Sequence, residues 1–166
     1  MVIGLHPVME AIKSGQDFIK IFIKSGLRGD LYQECFELVR SNKIPFQYVP
    51  IEKLNGITRA NHQGIIALIS PIPYQDISQV LPGIYESGKE PFLLVLDGIT
   101  DIRNFGAIAR SAEAAGVDAI IIGSKKAAMI NSDAIKTSAG ALNRIPVCRE
   151  ENIDKTVHFL KDSGIM

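Results

Sequence analysis

Tryptophan is absent from this 166-residue chain, and cysteine occurs only twice, as Cys35 and Cys148. Two cysteines so far apart provide neither a disulfide framework nor the spacing of a metal site. We expect them to be buried, reduced thiols in a cytoplasmic protein. The three histidines are scattered along the sequence and also lack a metal-ligand pattern. No metal site is therefore predicted.

Charge of one sign and long apolar runs are lacking as well. The 18 Lys/Arg balance the 18 Asp/Glu, which argues against a strongly basic nucleic-acid-binding protein but not against a local basic patch. Any basic surface is expected within residues 1–71, which hold eight Lys/Arg and six Asp/Glu. No apolar run approaches the roughly 20 residues that span a bilayer. We expect a soluble protein with no membrane partner.

Strand-like and helix-like segments alternate along the whole chain, which is typical of α/β proteins. In the first part, the β-rich residues 17–24 precede a helical pattern at 30–42, and the apolar run GIIALIS is typical of a strand buried on both faces. Residues 71–75, PIPYQ, are predicted to be a linker. The second part repeats the alternation, so a mostly parallel sheet is expected there.

The last predicted helix ends close to the end of the chain. Its apolar residues are Ile153, Val157 and Leu160, and Gly164 is a suitable C-cap. A helix of this kind in a parallel unit normally returns to the sheet. The pattern leaves two alternatives open: a chain cut in mid-unit, or a natural C-terminal helix at the surface.

Residues 92–116 combine a strand, a polar turn and a helix of small residues. The turn follows the end of a predicted parallel strand, where open α/β sheets bind ligands. It contains neither G-x-G-x-x-G nor a P-loop. Its polar residues are Asp97, Asp101, Arg103 and Asn104. Gly106 permits close approach, and the small neighbours Ala107 and Ala114 leave Arg110 uncrowded. The alternative for Arg110 is a solvated surface arginine.

The stretch DIRNFGAIARSA, residues 101–112, resembles the first motif of the SpoU (TrmH-like) branch of the SPOUT RNA methyltransferases, N-x-G-x-x-x-R after an aspartate. Asn104, Gly106 and Arg110 occupy its fixed positions, and Ile102 lies where many members have proline. GLHPVMEAI resembles the family's G-x-H-x-V-x-E-A signature, NHQGIIAL the end of its small RNA-binding domain, and KTSAGALNRIPV its S-A-G-A segment. These four stretches occur in the family's order.

The resemblance implies a small L30e-like α/β RNA-binding domain over residues 1–71, a linker and helix over 72–90, and the N-terminal part of a SPOUT parallel-sheet domain over 91–166. The family continues with G-S-E-x-x-G and N-x-S motifs, which form its knot, most of its S-adenosylmethionine pocket and much of its dimer interface. Neither motif occurs here. We therefore expect a fragment without the knot region, which is inactive and does not bind the cofactor. Cofactor-binding residues are expected beyond Met166.

The family's reaction, as the resemblance implies it, transfers a methyl group from S-adenosylmethionine to a ribose 2′-hydroxyl of RNA, in a homodimer when full length. The expected substrate is 23S rRNA, because the N-terminal domain resembles that of the ribosomal members. The alternatives are a tRNA 2′-O-methyltransferase and a stand-alone RNA-binding α/β protein without catalysis. Missing phosphate loops disfavour a nucleotide-binding protein.

The resemblance assigns catalysis to Arg110, with Asn104 orienting that arginine or the ribose. Because a guanidinium stays protonated in proteins, we expect Arg110 to bind phosphate or stabilise the alkoxide rather than act as a base. RNA affinity is expected from cations, because no aromatic-rich platform is evident. The candidate RNA-binding residues are Arg103, Gly106, Asn61, His62, Arg28, Arg59 and Arg144. The alternative role of His62 is a structural hydrogen bond. The alternative for each cation is a solvated charge at the surface.

Overall fold

The computed structural model describes residues 1–124, 128 and 130–166 of the protein. The chain divides into two compact units, Met1–Ser70 and Pro71–Met166. Both units alternate strands with helices, which confirms the predicted α/β class. None of the helices in the described ranges combines the length and the apolarity that crossing a membrane requires.

The first unit is built from four strands and three helices. In chain order they are β1 (Val2–Ile3), α1 (Leu5–Lys13), β2 (Phe18–Lys24), α2 (Asp30–Ser41), β3 (Phe46–Val49), α3 (Ile51–Ile57) and β4 (Ile65–Ile69). The sheet order is β1-β4-β2-β3, with β2 parallel to β3 and β4 antiparallel to both β1 and β2. Strand β3 therefore lies at an edge of this sheet.

Helices cover both faces of the first sheet. Ile65 and Ala67 of β4 belong to the core formed with α1 and α2, whereas Ile66 packs with Leu54 of α3 on the opposite face. All four side chains are fully buried. The apolar run that predicted a strand buried on both faces is thus confirmed.

The described residues of the second unit form a parallel three-stranded sheet. Its elements are α4 (Ile77–Glu86), β5 (Leu93–Leu96), α5 (Ile102–Ala114), β6 (Ala119–Gly123), α6 (Ser132–Thr137), a 3-10 turn (Ala141–Asn143), β7 (Val147–Glu150) and α7 (Ile153–Asp162). The strand order is β5-β6-β7, and both pairings are parallel, as predicted. Helices α5 and α6 pack on one face, and α4 and α7 pack on the other.

Residues 71–75, predicted to be a linker, pack within the second unit. Ile72 is only 3% exposed and belongs to the core on the α5 face. Gln75 lies beside β7: its N–H donates to the carbonyl oxygen of Val147 at 3.0 Å, and its own carbonyl accepts from the N–H of Arg149 at 3.2 Å. A buried side chain and sheet hydrogen bonds are what a free linker lacks, so the prediction was wrong here.

The sequence pattern predicts a helix over residues 76–88 that is kinked or broken at Pro82, and a helix over residues 131–142. The structure differs from both predictions. Pro82 lies inside α4 without ending it, because the loss of one N–H costs a ten-residue helix a single internal hydrogen bond. Helix α6 ends at Thr137 rather than near residue 142. Ala139 and Gly140 have φ values of 51° and 83°, and two successive left-handed residues cannot continue a right-handed helix.

Helix α5 packs directly against α6 at Gly106. A Cβ on Gly106 would lie 2.8 Å from the Cβ of Thr137 and 2.9 Å from the carbonyl oxygen of Ala134. Phe105 and Ala109, on the same side of α5, are also buried. The absence of a side chain at Gly106 therefore serves a helix–helix contact. This corrects its assignment to the RNA-binding set, which would have needed it at the surface.

We expect Gly106→Ala to destabilise the chain by about 1–3 kcal/mol, because the added methyl group would overlap Thr137 and the backbone of α6. Gly83→Ala is the matched control, since no atom lies within 4 Å of its Cβ position in α4. That control should stabilise by roughly 0.5–1 kcal/mol through helix propensity. Urea unfolding followed by circular dichroism measures both changes. A neutral or stabilising Gly106→Ala would contradict the packing role.

Candidate functional site

The loop between β5 and α5 places polar residues at the carboxyl end of the parallel sheet. Asp101 caps α5, because its Oδ1 accepts the N–H of Asn104 at 2.7 Å. The loop is also tied to the segment that follows β6, since the N–H of Ala128 donates to the carbonyl oxygen of Ile99 at 2.7 Å. Asp97 is exposed in the same loop. These bonds fix where α5 begins.

Gly106 and Arg110 of N-x-G-x-x-x-R are four residues apart on α5 and lie about 40° apart around the helix axis. Gly106 faces α6. Asn104 and Arg110 are both exposed, and six residues of helix separate them by about 120° around the axis. No hydrogen bond joins these two described side chains. The predicted contact in which Asn104 orients Arg110 is therefore not made in this structure.

Arg110 belongs instead to an exposed stripe along α5. The stripe consists of Arg103, Ala107, Arg110 and Ala114, which are all exposed, and we call it the α5 arginine stripe. Its two arginines are about 10 Å apart along the helix axis. Neither has a hydrogen bond or an ion pair from its side chain to another described residue. The stripe therefore presents two permanent positive charges with only small side chains between them.

Arg144 has an acidic partner. Its Nε and Nη2 donate to the two carboxylate oxygens of Glu113, with 2.9 Å between Nη2 and Oε2. The hydrogen bond from the guanidinium lowers the pKa of Glu113 and raises the pKa of Arg144. This ion pair joins α5 to the segment before β7. The RNA contact of Arg144 stays a prediction.

The NHQG segment contacts the start of α1, which explains why two motifs distant in sequence occur together. Gly4 precedes α1 and provides no side-chain cap. The side-chain Oε1 of Gln63 instead accepts the N–H of Leu5 at 3.1 Å. A Cβ on Gly4, whose φ is 94°, would lie only 3.1 Å from that same oxygen. The G-x-H and NHQG motifs therefore form one junction that holds the first helix.

His62 is a structural residue of this junction and is only 8% exposed. Its Nδ1 accepts the N–H of Gly64 at 3.0 Å, and its Nε2 lies 2.9 Å from Oδ1 of Asn55. Because a backbone N–H can only donate, Nδ1 carries no proton, and Nε2–H donates to Asn55 in the tautomer inferred from these partners. Both ring nitrogens are occupied, which corrects the assignment of His62 to the RNA-binding set.

The other candidates in the first unit, Arg28, Arg59 and Asn61, lie with Lys24 at one end of its sheet. Lys24 ends β2 and its N–H donates to the carbonyl of Gly64 at 2.8 Å, Arg28 follows in the next loop, and Arg59 and Asn61 precede β4. The end of β2 meets the start of β4 because these strands are antiparallel. The four polar side chains are exposed. We call this group of Lys24, Arg28, Arg59 and Asn61 the cationic end.

Four aromatic side chains meet on the surface of the first unit, a feature that was not predicted. Tyr32 and Phe36 come from α2, and Phe46 and Tyr48 come from β3. Ring centroids are 5.7 Å apart for Tyr32–Phe36, 5.1 Å for Phe36–Phe46 and 5.7 Å for Phe46–Tyr48. The spacings i, i+4 on a helix and i, i+2 on a strand were the signal in the sequence. We call these four residues the aromatic cluster.

Both cysteines are buried, as predicted. Desolvation raises the pKa of Cys35 to about 11 and that of Cys148 to about 12, so both remain neutral thiols. Across the part of the chain that the structure describes, no three His, Cys, Asp or Glu side chains are grouped closely enough to hold a metal ion.

Comparison with known proteins decides the family. A family described as RNA 2′-O ribose methyltransferase substrate binding matches residues 1–75, and the SpoU rRNA methylase family matches residues 91–166. The chain belongs to the SpoU methyltransferase family. The resemblance drawn from four short motifs is thus confirmed.

Curated relatives carry the related family name TrmH. A Staphylococcus aureus (strain MSSA476) protein named as a TrmH family tRNA/rRNA methyltransferase is 38% identical over 164 residues, which are 99% of this chain and 66% of that protein. A Staphylococcus saprophyticus protein of the same name is 37% identical over the same shares. This SpoU chain therefore spans 66% of the length of these relatives.

Solved structures of SpoU proteins are more distant. The SpoU methyltransferase AviRb from Streptomyces viridochromogenes, in complex with AdoMet, is 20% identical with a TM-score of 0.46. The match covers 98% of this chain and 58% of the AviRb chain. An AdoMet-bound rRNA methyltransferase from Sinorhizobium meliloti is 19% identical with a TM-score of 0.46 and covers 96% and 56%.

We expect His62→Phe to destabilise this SpoU chain by about 1–3 kcal/mol, because the N–H of Gly64 and the side chain of Asn55 would lose their partner. His6→Ala is the control, since His6 is exposed in the same unit and should change stability by less than about 0.5 kcal/mol. Urea unfolding measures both variants. Equal stability of His62→Phe and the wild type would refute the structural role.

Proposed function

We propose that this chain is part of an S-adenosylmethionine-dependent RNA 2′-O-ribose methyltransferase that acts on 23S rRNA. The α5 arginine stripe carries the proposal, because a member of an RNA methyltransferase family exposes two permanent cations on the helix that follows β5. Support for the ribose as the target comes from the family that matches residues 1–75, whose description names 2′-O ribose methylation.

Transfer RNA is the second candidate substrate. It is favoured by the name of the curated relatives, which includes both tRNA and rRNA. The same stripe would serve either RNA, because a guanidinium binds the phosphate backbone whatever the sequence.

The proposed reaction replaces the proton of a ribose 2′-hydroxyl with a methyl group that S-adenosylmethionine supplies. Arg110 stays protonated, so it does not act as the base. Its guanidinium would bind the neighbouring phosphate with two N–H groups, or stabilise the negative charge that develops on the 2′-oxygen. Arg103, about 10 Å away on the same stripe, would bind a second phosphate and fix the direction of the strand.

No described residue is singled out as a contact for S-adenosylmethionine, because each buried side-chain nitrogen or oxygen in the described part of the chain already has a hydrogen-bond partner. We therefore assign no described residue to it. We propose that activity requires the remaining third of the relatives' length, and that this third supplies the cofactor site and a homodimer interface.

The first unit would contribute affinity for RNA. Its cationic end groups the three exposed cations Lys24, Arg28 and Arg59 beside the exposed amide of Asn61. Cations of this kind bind phosphate, and the affinity that they provide falls steeply as the salt concentration rises. In this proposal, α5 takes part in the methyl transfer and the first unit binds the RNA substrate.

We expect Arg110→Ala in the full-length protein to lower kcat for RNA methylation by about 10²–10³-fold, because one group that stabilises the developing charge is removed. Its affinity for S-adenosylmethionine should remain unchanged. Transfer of a labelled methyl group measures kcat, and calorimetry measures the cofactor affinity. Lys161→Ala, which removes an exposed cation from α7, is the matched control. Arg110→Ala with activity near that of the wild type would eliminate the proposed role.

A separate prediction concerns the cofactor. The 166-residue chain alone should show no tight binding of S-adenosylmethionine, because we propose that the cofactor site lies in the third of the relatives' length that this chain does not span. Isothermal titration calorimetry with the purified chain tests this directly. Tight binding would show that the cofactor site lies within these residues after all.

A further inference from the structure

The aromatic cluster of the first unit leaves much of its surface uncovered. Phe46 is 38% exposed and Tyr48 is 48% exposed, and both lie on β3, the edge strand of the sheet. Edge strands usually carry charged residues that block unwanted contacts, but Phe46, Gln47, Tyr48 and Val49 are all uncharged. Exposed apolar patches of this kind mark binding surfaces.

Pairing with another strand is restricted at this edge. Pro45 and Pro50 lie immediately before and after β3, and proline has no N–H to donate. The strand between them has only four residues. An added strand could form few hydrogen bonds here, so a ligand would have to be recognised by the side chains.

The cluster also offers a polar group beside its rings. The hydroxyl oxygens of Tyr32 and Tyr48 lie 3.0 Å apart and share one hydrogen bond. Two hydroxyls carry two protons, so one proton is left for an acceptor outside the pair. Desolvation raises the pKa of Tyr32 to about 12, which keeps this phenol protonated. Aromatic rings with an adjacent donor are the means by which proteins bind unstacked bases of RNA.

Exposed arginines lie near both ends of α2. Arg40 follows Phe36 by one helical turn, and Arg28 lies in the loop two residues before α2 begins. Both arginines are exposed, and neither side chain has an ion pair with a described residue.

Helix α2 also carries carboxylates. Asp30 and Glu37 are exposed, and Glu34 pairs with Lys13 at 3.7 Å. Glu37 lies about 100° around the helix from Phe36, on the side away from the core. None of these carboxylates forms an ion pair with Arg28 or Arg40 among the described residues, so both guanidinium groups can still bind negative charge on a ligand.

We propose that the aromatic cluster binds an unstacked base of single-stranded RNA, with Arg28 and Arg40 on the flanking phosphates. This inference rests on the proposed function, because it assumes that RNA is the substrate of the first unit. It adds a site that selects looped or unpaired RNA over a regular duplex, whose bases are stacked and cannot reach the rings. A second copy of this chain is the competing occupant, and the experiment separates the two.

The test uses the 166-residue chain with a short oligoadenylate RNA and an abasic ribose–phosphate oligomer of the same length. Tyr48→Leu and Phe46→Leu keep apolar bulk but remove the ring. Each should weaken binding of the oligoadenylate by about 5- to 100-fold and leave binding of the abasic oligomer unchanged. Tyr48→Phe keeps the ring and should retain most of the affinity. Tyr85→Leu, at a 43% exposed tyrosine of α4, is the matched control.

Fluorescence gives a direct signal of stacking. The chain has no tryptophan and four tyrosines, two of them in the cluster, so tyrosine emission can be observed without interference. Oligoadenylate should quench this emission in the wild type, and the abasic oligomer should not. The quenching should be lost in a Tyr32→Phe/Tyr48→Phe variant, whose rings remain in place.

The proposal is overturned if the leucine variants bind oligoadenylate as the wild type does, or if the wild type binds both oligomers equally. It is also overturned if the variants change only self-association in sedimentation, which would make the cluster an interface between copies. If the full-length protein fails to methylate RNA, the proposed function is wrong, but base-dependent binding at the aromatic cluster can still be observed. If it methylates RNA without base-dependent binding, the proposed function holds and the base-binding site is wrong.

Discussion

The contact between α5 and α6 at Gly106 determines how the second unit presents its cations. A backbone oxygen and the Cβ of Thr137 occupy the place where a side chain would extend, so α5 cannot rotate about its axis without a clash. The same orientation buries Phe105 and Ala109 against the sheet. Arg103 and Arg110 lie about 60° and 40° around the axis from Gly106, on the side away from Phe105 and Ala109, and both are exposed. The position of the charges follows from a packing constraint on a residue that carries no charge.

In the first unit, polar side chains hold the start of a helix in place. The N–H groups at the start of α1 need acceptors, and the preceding Gly4 has no side chain to provide one. Gln63 supplies an acceptor from the loop before β4, and His62 braces that loop through Gly64 and Asn55. Residues that look like ligand contacts in the sequence are thus used internally. The exposed residues around them take no part in these internal hydrogen bonds.

The fold was largely predictable because its signals are local. Because β4 is buried on both faces, its sequence is a continuous apolar run, and Asn131 and Asn152 cap α6 and α7 from the position directly before each helix. The site was less predictable because it depends on what packs against each side chain. Gly106 and His62 are residue types often found in ligand sites. In this structure Gly106 instead packs against α6, and both ring nitrogens of His62 are hydrogen-bonded within the first unit. The aromatic cluster requires α2 and β3 to meet, and no local pattern reports which helix lies over which strand.

Each unit contains one cysteine. Cys35 lies on the buried side of α2, and Cys148 lies on β7 and packs against the helices α4 and α7. Each is fully buried, and its raised pKa holds it in the unreactive protonated form. Neither thiol can be alkylated until its own surroundings open. The rates at which the two sites take up an alkylating reagent therefore report separately on the local opening of each half, in a chain that needs no added label.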